Sequence, residues 1–569
     1  MAESADCIRT APSRRTLILA GLLLAALACL GLNRDLWTPD EPREAEMIRE
    51  MYLSPSLIPT LDLSPFYEKP PVYYWLGATL FAATGGASIW AARLLSALAG
   101  LLTLWVLYRW GLRAGSSALG LTSAVLFATS SVFLYATHWI ILDPLLMLWM
   151  TLAAWAGYEV VAGGRTRYLV LFYGALLLAL WTKGLVGPVL LGVGLVLYFV
   201  LDRRRKPWRA FRPLWGGLVS LAGLAALASA ITLAGGTKAL YQWAWVNHVD
   251  RFLHPVGTGH AQPLLYYTWT LALAVLPWLV PLFMVFRPAF WRGRFEGASD
   301  ASPSTLNPPP FPSGLSGGEP DGTRPLPDPA VYAAALVVGG LFILSLASTK
   351  REIYLLPVLP PLFLLMGWQA EELVAKAAPP HARGGALLWL QAAVMIIWAV
   401  ALPAALLLYG HGGRAVPLLL LAAGLVCSIG LLLSARRGRR HIRGWASACA
   451  GAFCLALFFG AVPVIAVQKN MTFFVQRLDG HFPAGAPVYA LGADETLRGI
   501  IPFVTGRRVI ALPDDYLSEI EPGLHRPADL LVQGQDPHQE QTLGREGYSL
   551  VESHTFGRNR TIALWSRPH

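Results

Sequence analysis

The sequence predicts an integral-membrane protein, an all-α bundle of about thirteen transmembrane helices. Three observations predict it: 55% of the 569 residues are hydrophobic, only 14% are charged, and the mean hydropathy is +0.49. A soluble protein is excluded, because globular proteins carry about 25% charged residues. The net charge of +11 does not indicate nucleic-acid binding, since the basic residues stand in short blocks between apolar runs, where they orient helices in a bilayer.

Apolar segments long enough to cross about 30 Å of hydrocarbon recur along the first 467 residues. They lie near 16–32, 89–108, 117–134, 140–161, 168–181, 184–201, 214–234, 264–286, 330–348, 354–370, 385–409, 415–435 and 444–467. The first resembles the apolar region of a signal peptide but has no small-x-small cleavage site, so it is interpreted as a retained span. The five cysteines fall in the N-terminal tail or in apolar runs, and they imply no disulfide framework.

Arginine and lysine are concentrated in alternate loops. If the N-terminus is cytoplasmic, the cytoplasmic loops hold about twice as many basic residues as the membrane-proximal loops opposite, which fixes the orientation by the positive-inside rule. An odd number of spans then places the last hundred or so residues outside the cytoplasm.

The chain is expected to divide at residue 467. Residues 1–467 form the membrane domain, and residues 468–569 form a small α/β domain outside the cytoplasm, because short apolar runs alternate there with Gly, Pro and Asp turns. Within the membrane domain, residues 33–88 form the first extracytoplasmic loop. The Pro/Gly/Ser-rich stretch 298–329 is predicted to be a disordered cytoplasmic loop.

The first loop carries charges that a simple linker does not need. Its Thr-Pro-Asp-Glu sequence matches a capping box with Pro39 at the first helical position, so a helix is predicted from Pro39 to about Leu53 along the membrane surface. Asp40 and Arg43 then share one face. The alternative for Asp40 is a first-turn carboxylate that only complements the helix dipole.

More charged residues lie in loops on the same side of the membrane. Glu68 and Lys69 stand in a rigid turn, where the alternative is an interfacial salt bridge with a snorkelling lysine. Asp143 begins the fourth span, where a carboxylate is costly and suggests function; the alternative is a helix cap before Pro144. For Lys183, snorkelling of the side chain to the membrane surface is as good an explanation as a functional role. The remaining candidates are His248, Arg251, Lys350 and Tyr354, whereas His260 is interpreted as structural, as a lone histidine usually is.

Cations beside carboxylates at the outer membrane face suit an anionic head group on a lipid whose tail stays in the bilayer. To transfer a sugar from a polyprenyl phosphate, a site must stabilise the departing phosphate with Arg or Lys. It must also place an acceptor oxygen opposite the leaving group, with a carboxylate to take its proton. Such a donor is already activated, so no metal is obligatory, and the sequence has no phosphate loop or dinucleotide fingerprint.

Two first-loop motifs resemble a known family: WTPDEPREAE at 37–46 and FYEKPP at 66–71. The family is that of the lipid-linked aminoarabinose transferases, integral-membrane glycosyltransferases of the GT-C type that are related to protein O-mannosyltransferases. The resemblance covers the whole membrane portion. It extends through LDP at 142–144, TKG at 182–184, HVDRF at 248–252, STK at 348–350 and YLLP at 354–357.

The resemblance implies a GT-C-type fold with amphipathic loop helices and an active site at the periplasmic face of a bacterial inner membrane. It implies that Asp40 is the essential first-loop acid and that Asp143 is a nearby carboxylate. It further implies ligands for the polyprenyl phosphate, namely Arg43, Lys69, Arg251 and Tyr354.

The resemblance also implies a divalent ion, zinc, at Glu68 and His248. Two protein ligands are fewer than the usual three of a catalytic zinc site.

The predicted function is transfer of a sugar from an undecaprenyl-phosphate donor to lipid A or another glycolipid. A protein O-mannosyltransferase-like enzyme is the alternative within the class. A polytopic transporter or flippase would place its charges near the bilayer midplane, often in repeated halves, whereas these charges crowd one face. Glu44 replaces the tyrosine typical of the family, and Pro42 and Pro71 also differ, so the sugar and the acceptor stay open.

Overall fold

The computed structural model describes most of the chain. The described residues are 12–164, 166–202, 207–254, 261–292, 294, 328–375, 383–409, 415–437, 442–513, 516, 527–534, 536–556 and 560–567. The predicted cytoplasmic loop 298–329 lies outside them except for its last two residues, and His260 also lies outside them.

Helices make up most of the described residues, which confirms the predicted fold class. In chain order they are α1 (Arg14–Cys29), α2 (Asp40–Leu53), α3 (Val72–Thr84), α4 (Ile89–Ala114), α5 (Ser117–Ala128), α6 (Ser131–Thr137), α7 (Asp143–Val161), α8 (Thr166–Lys183), α9 (Val186–Leu201), α10 (Pro213–Tyr241), α11 (Arg251–Leu253), α12 (Tyr266–Ala274), α13 (Leu279–Val285), α14 (Pro288–Trp291), α15 (Pro329–Leu346), α16 (Leu359–Ala375), α17 (Arg383–Tyr409), α18 (Ala415–Arg437), α19 (Ile442–Ala456), α20 (Val462–Lys469), α21 (Thr472–Asp479), α22 (Leu497–Thr505) and α23 (Pro537–Arg545). Between them lie two 3-10 helices, Pro207–Phe211 and Glu352–Val358, and two π-helical turns, Gln242–Asp250 and Leu457–Ala461.

The chain forms two compact units, whose division differs from the predicted boundary at residue 467. The first unit comprises residues 1–30, 97–137 and 142–460. The second comprises residues 31–96, 138–141 and 461–569. The C-terminal segment therefore belongs to the same unit as the first loop.

Eight helices among the described residues are long and apolar enough to cross a membrane. The pair α5 and α6, bent by 69°, raises the number to nine if it counts as one span. The predicted span near 264–286 is divided into α12 and α13, and α9 is apolar but short. The chain is thus a multi-pass membrane protein, and the count of about thirteen spans stays a prediction.

The division between α12 and α13 is stabilised by side-chain and backbone partners within the first unit. Pro277 lies in this break and cannot donate to a helical hydrogen bond. The Nε2 of Gln391 donates to the Pro277 carbonyl at 3.0 Å, and its Oε1 accepts from the amide of Val280 at 3.1 Å. The amide of Ser131 donates to the Leu276 carbonyl at 2.9 Å. These contacts satisfy backbone groups that would be costly to leave unpaired in hydrocarbon.

In the second unit, helix α2 begins one residue later than predicted. Asp40 is its first residue, Pro39 is the N-cap, and no side chain caps the helix, so the predicted capping box is wrong. Glu41 instead accepts a hydrogen bond from the amide of Trp37 at 2.9 Å. The predicted end at Leu53 is observed.

The C-terminal segment carries a five-stranded sheet, and the first loop carries a short hairpin. The hairpin pairs β1 (Thr60–Leu61) with β2 (Ser64–Pro65). The sheet strands are β3 (Val488–Leu491), β4 (Val509–Leu512), β5 (Asp529–Gln533), β6 (Ser549–Phe556) and β7 (Arg560–Ser566), in the order β4-β3-β5-β7-β6. Strand β3 is parallel to β4 and β5, and β7 is antiparallel to β5 and β6.

Helix α22 of this segment packs directly on α2. A Cβ at Gly499 would lie 2.6 Å from backbone atoms of Pro42 and Arg43. A side chain at this position would push the two helices apart, so glycine is required for their close approach.

Candidate functional site

Helix α2 buries five carboxylic acids within 14 residues. Each of them is at most 8% exposed: Asp40, Glu41, Glu44, Glu46 and Glu50. A buried carboxylate is costly unless it is paired or hydrogen-bonded. The partners of these acids therefore define what the helix does.

Glu41 is held by two arginines. Arg34 donates from Nη1 at 2.7 Å and from Nη2 at 3.0 Å, and Arg93 of α4 donates from Nε and Nη2, both at 2.9 Å. The amide of Ile140 also donates to Glu41 at 3.1 Å. Burial would raise the pKa of Glu41, but Arg93 and Arg34 outweigh it and hold the pKa below its usual value. Glu41 therefore joins three separate parts of the second unit as an ionised structural residue.

Replacing Glu41 with alanine is expected to destabilise the protein by about 3–5 kcal/mol, because it leaves two arginines beside a buried site without their carboxylate. Thermal unfolding of the purified protein in detergent would measure the loss. Glu540→Ala, at an exposed residue of α23, is the control. An unchanged midpoint for Glu41→Ala would contradict the structural role.

Arg43 lies among three carboxylates. Its Nε and Nη2 donate to Glu44 Oε1 at 3.0 and 2.5 Å, its Nη1 donates to Glu495 at 2.5 Å, and its Nη2 lies 3.4 Å from Asp40. Glu44 in turn accepts from the hydroxyl of Tyr74 at 2.6 Å. Burial would lower the pKa of Arg43, but Glu44, Asp40 and Glu495 raise it well above its usual value. The predicted pair Asp40 and Arg43 is thus brought together as an acid beside a permanent cation.

Glu68 and Lys69 lie in the turn between β2 and α3, in the same unit as Arg43. The Lys69 ammonium is 3.9 Å from the Glu68 carboxylate, and their side chains are 17% and 28% exposed. The pair is therefore partly accessible.

The first unit brings together a second set of candidate residues. The Lys183 ammonium at the end of α8 is 2.6 Å from Asp143 at the start of α7. It also lies 4.9 Å from the ring centre of Tyr354. Lys183 has no role among the predicted site residues; the signal for it is a lysine in the short turn at the end of α8, on the same side of the membrane as Asp143. The paired ammonium replaces the snorkelling interpretation.

His248 lies in the π-helical turn, and both of its ring nitrogens contact backbone. Nδ1 lies 2.6 Å from the carbonyl of Trp243, which assigns the proton to Nδ1, and Nε2 accepts from the amide of Leu185 at 3.2 Å. Gly184 has a φ of +73°, and a Cβ there would overlap Nε2. Glycine is therefore required both for this backbone conformation and for the approach of the imidazole.

Arg251 starts α11, directly after the π-helical turn. Its backbone carbonyl accepts from the hydroxyls of Ser348 at 3.1 Å and Thr349 at 2.9 Å. These two residues belong to the predicted STK motif, so the structure connects two of the motifs in the first unit.

The predicted zinc ligands Glu68 and His248 belong to different units, and the zinc pair stays a prediction. A ligating imidazole offers a lone pair, and in this structure the Nε2 lone pair of His248 faces the amide of Leu185. Within the part of the chain that the structure describes, no group of three or more His, Cys, Asp or Glu could hold a metal ion.

Glu46 and Glu50 form a further buried acid pair on α2. Arg49 donates to Glu46 at 2.7 and 2.6 Å, and Glu50 accepts from the amide of Leu63 at 3.0 Å and from the hydroxyl of Thr60. Burial raises the pKa of Glu46 to about 7, Glu50 adds to the rise, and Arg49 opposes it. Glu50 connects α2 to the β1–β2 hairpin.

We expect Glu46 to make stability depend on pH. Its folded pKa of about 7 lies above the unfolded value of 4.5, so the folded protein binds an extra proton between these values. Its stabilising contribution is complete below about pH 4.5 and is lost as the pH rises through about 7. Relative to the wild type, Glu46→Gln should therefore gain stability as the pH rises from about 4.5 to about 7, by about 2–3 kcal/mol at most.

Thermal midpoints measured across this pH range would check the dependence. Glu540→Gln, which removes an exposed carboxylate of α23, should follow the wild type. Parallel pH curves for the wild type and Glu46→Gln would contradict the raised pKa.

Three comparisons with known proteins bear on this fold and these residues. Residues 68–230 match the family model described as dolichyl-phosphate-mannose-protein mannosyltransferase. The undecaprenyl phosphate-alpha-4-amino-4-deoxy-L-arabinose arabinosyl transferase of Edwardsiella ictaluri is 28% identical over 60% of this chain and 57% of that protein. The enzyme of the same name from Pectobacterium carotovorum is 27% identical over 80% of this chain and 77% of its own length.

A solved structure matches nearly the whole chain. It is ArnT from Cupriavidus metallidurans bound to undecaprenyl phosphate, with a TM-score of 0.72 at 19% identity, covering 97% of this chain and 98% of that one. In fold and in sequence the chain is similar to integral-membrane glycosyltransferases. Among these it is similar to the lipid-linked aminoarabinose transferases, and it also matches the protein mannosyltransferase model, so the predicted resemblance is confirmed.

Proposed function

We propose that this glycosyltransferase moves a sugar from an undecaprenyl-phosphate donor to lipid A or another glycolipid at the periplasmic face of a bacterial inner membrane. The observation that carries the proposal is the pairing of Asp40 with Arg43 on buried helix α2. Transfer of a sugar from a lipid phosphate requires a cation that stabilises the departing phosphate and a carboxylate that serves the acceptor, and these two groups lie side by side here. The names of the similar proteins, which include undecaprenyl phosphate and an aminoarabinose, support this donor class.

The chemistry assigns different roles to the acid and the cations. The acceptor oxygen attacks the anomeric carbon of the sugar, and the bond from that carbon to the phosphate oxygen breaks, leaving its electron pair on the phosphate. Arg43 and Lys69 hold the phosphate and stabilise this charge. Asp40 takes the proton of a hydroxyl acceptor, or orients an acceptor that is already ionised.

Residues of the first unit are proposed for related roles. Asp143 is proposed as the second catalytic carboxylate, and its ion pair with Lys183 fixes its orientation. Tyr354, whose ring faces the same ammonium, and Arg251 are proposed as further donor ligands because they match the motifs of the family.

A transfer assay with the purified full-length protein in proteoliposomes would test the function. A panel of labelled undecaprenyl-phosphate sugars, including 4-amino-4-deoxy-arabinose, would be offered with lipid A or with purified envelope proteins. Label in lipid A supports the proposal. Label in protein would favour the alternative that the mannosyltransferase match over residues 68–230 suggests. Movement of lipid or solute without any glycosyl product would contradict both.

A further inference from the structure

Glu495 of the C-terminal segment contacts Arg43, a residue that the proposed function assigns to the donor phosphate. We propose that the Glu495 carboxylate occupies the position on Arg43 that a phosphate oxygen of the donor takes, so that Glu495 sets the affinity of this site for polyprenyl phosphate. The inference rests on the proposed function, because it requires that Arg43 binds phosphate. It makes the C-terminal segment a contributor to the donor site.

The contacts of Arg43 divide into a buried side and an exchangeable side. On the buried side, Nε and Nη2 donate to Glu44, whose side chain is 1% exposed and is itself held by the Tyr74 hydroxyl. On the other side, Nη1 donates to Glu495, whose side chain is 41% exposed. A ligand from solvent or lipid can therefore replace Glu495 far more readily than Glu44. Carboxylate and phosphate oxygens bind guanidinium groups in the same manner.

The backbone that carries Glu495 is fixed next to α2. Asp494 accepts from the amides of Thr496 at 2.9 Å and Leu497 at 3.1 Å, which shapes the turn before α22. The Thr496 hydroxyl donates to the carbonyl of Pro39 at 3.2 Å. Because this turn is held on both sides of residue 495, the Glu495 side chain can rotate away from Arg43 while the turn stays in place.

The charges around Arg43 favour replacement of Glu495 by the phosphate over binding of the phosphate beside Glu495. Arg43 faces the three carboxylates Asp40, Glu44 and Glu495, so this group already has a negative formal charge. Adding a phosphate while Glu495 stayed would place like charges side by side, which costs several kcal/mol. A polyprenyl-phosphate sugar is a phosphodiester with one negative charge, so it replaces Glu495 one for one. The product is a phosphate monoester with a larger charge, and the return of Glu495 to Arg43 would favour its release.

Binding of undecaprenyl phosphate to the purified full-length protein in detergent tests the inference. Glu495→Gln keeps the shape of the side chain but removes its charge, and it should bind about three- to fivefold more tightly, the range expected for an ion pair with a partly exposed partner. Glu495→Ala should also bind more tightly, which would show that the effect comes from loss of the carboxylate and not from the new glutamine side chain. Glu540→Gln, with the same change of net charge at an exposed residue of the same segment, should bind like the wild type.

Variants of Arg43 separate failure of the inference from failure of the proposed function. If Arg43→Ala weakens binding while both Glu495 variants leave it unchanged or weaker, Glu495 is not a replaceable ligand and the inference is overturned. If Arg43→Ala binds like the wild type, the phosphate role of Arg43 fails, and the inference fails with it. In the Arg43→Ala background, Glu495→Gln should no longer tighten binding. If it still does, the tighter binding comes from the change of net charge and not from a free Arg43, and the inference is overturned.

Discussion

Asp40→Asn is expected to reduce glycosyl transfer by about 10²–10⁴-fold while the protein stays folded. The change keeps the size of the side chain but removes the charge and the basicity of the carboxylate beside Arg43, 3.4 Å away. Transfer by purified variants in proteoliposomes, with thermal midpoints measured in parallel, checks the expectation. A pH–rate profile would then show whether the carboxylate removes a proton or orients an ionised acceptor.

Asp35→Asn is the matched control for this variant. Asp35 lies in the same loop, is exposed, and accepts from the Asn470 side chain at 2.7 Å. It should transfer sugar at the wild-type rate. Normal turnover by well-folded Asp40→Asn would reduce Asp40 to a residue of the helix terminus.

Lys69→Ala is expected to weaken donor binding and slow transfer, with a loss of about 2–4 kcal/mol if Lys69 acts as a preorganised donor to the phosphate. Its ammonium lies 3.9 Å from Glu68, and the Lys69 side chain is partly exposed. Lys69→Arg should rescue the loss poorly, because arginine differs from lysine in reach and hydration. Affinity for undecaprenyl phosphate and turnover, measured on variants with matched thermal midpoints, would separate the two effects.

The competing role for Lys69 is attachment of the loop to the lipid interface. That role predicts poor expression but normal activity per folded molecule. Lys469→Ala is the control, because Lys469 belongs to the same unit and lies 5.1 Å from the ring centre of Trp139. Unchanged affinity and turnover for both Lys69→Ala and Arg43→Ala would refute the phosphate assignment.

Features set by local sequence were predictable. Composition and apolar run length determined the membrane class, because about 30 Å of hydrocarbon requires about twenty apolar residues. Helical periodicity determined that Asp40 and Arg43 share a face of α2, since residues three apart are neighbours on a helix. The same local reasoning misplaced details: Pro39 is the N-cap of α2, and the predicted span near 264–286 is interrupted around Pro277.

Only the tertiary structure decided which buried charges pair. Glu41 pairs with Arg93, which is 52 residues away in the sequence, and Arg43 pairs with Glu495, which is 452 residues away. The sequence contains each charge, but it carries no local pattern that assigns one to another over such distances. The pairing is decided by packing, because a carboxylate that folding removes from water must be matched by whichever cation or amide the fold places beside it.

The same reason explains the surroundings of His248. His248 carries a side chain that can bind zinc, and the sequence alone left that open. The fold places the Trp243 carbonyl and the Leu185 amide at its two ring nitrogens. These neighbours are decided by tertiary contacts, because residue type fixes only what a side chain can bind; the zinc pair itself stays a prediction.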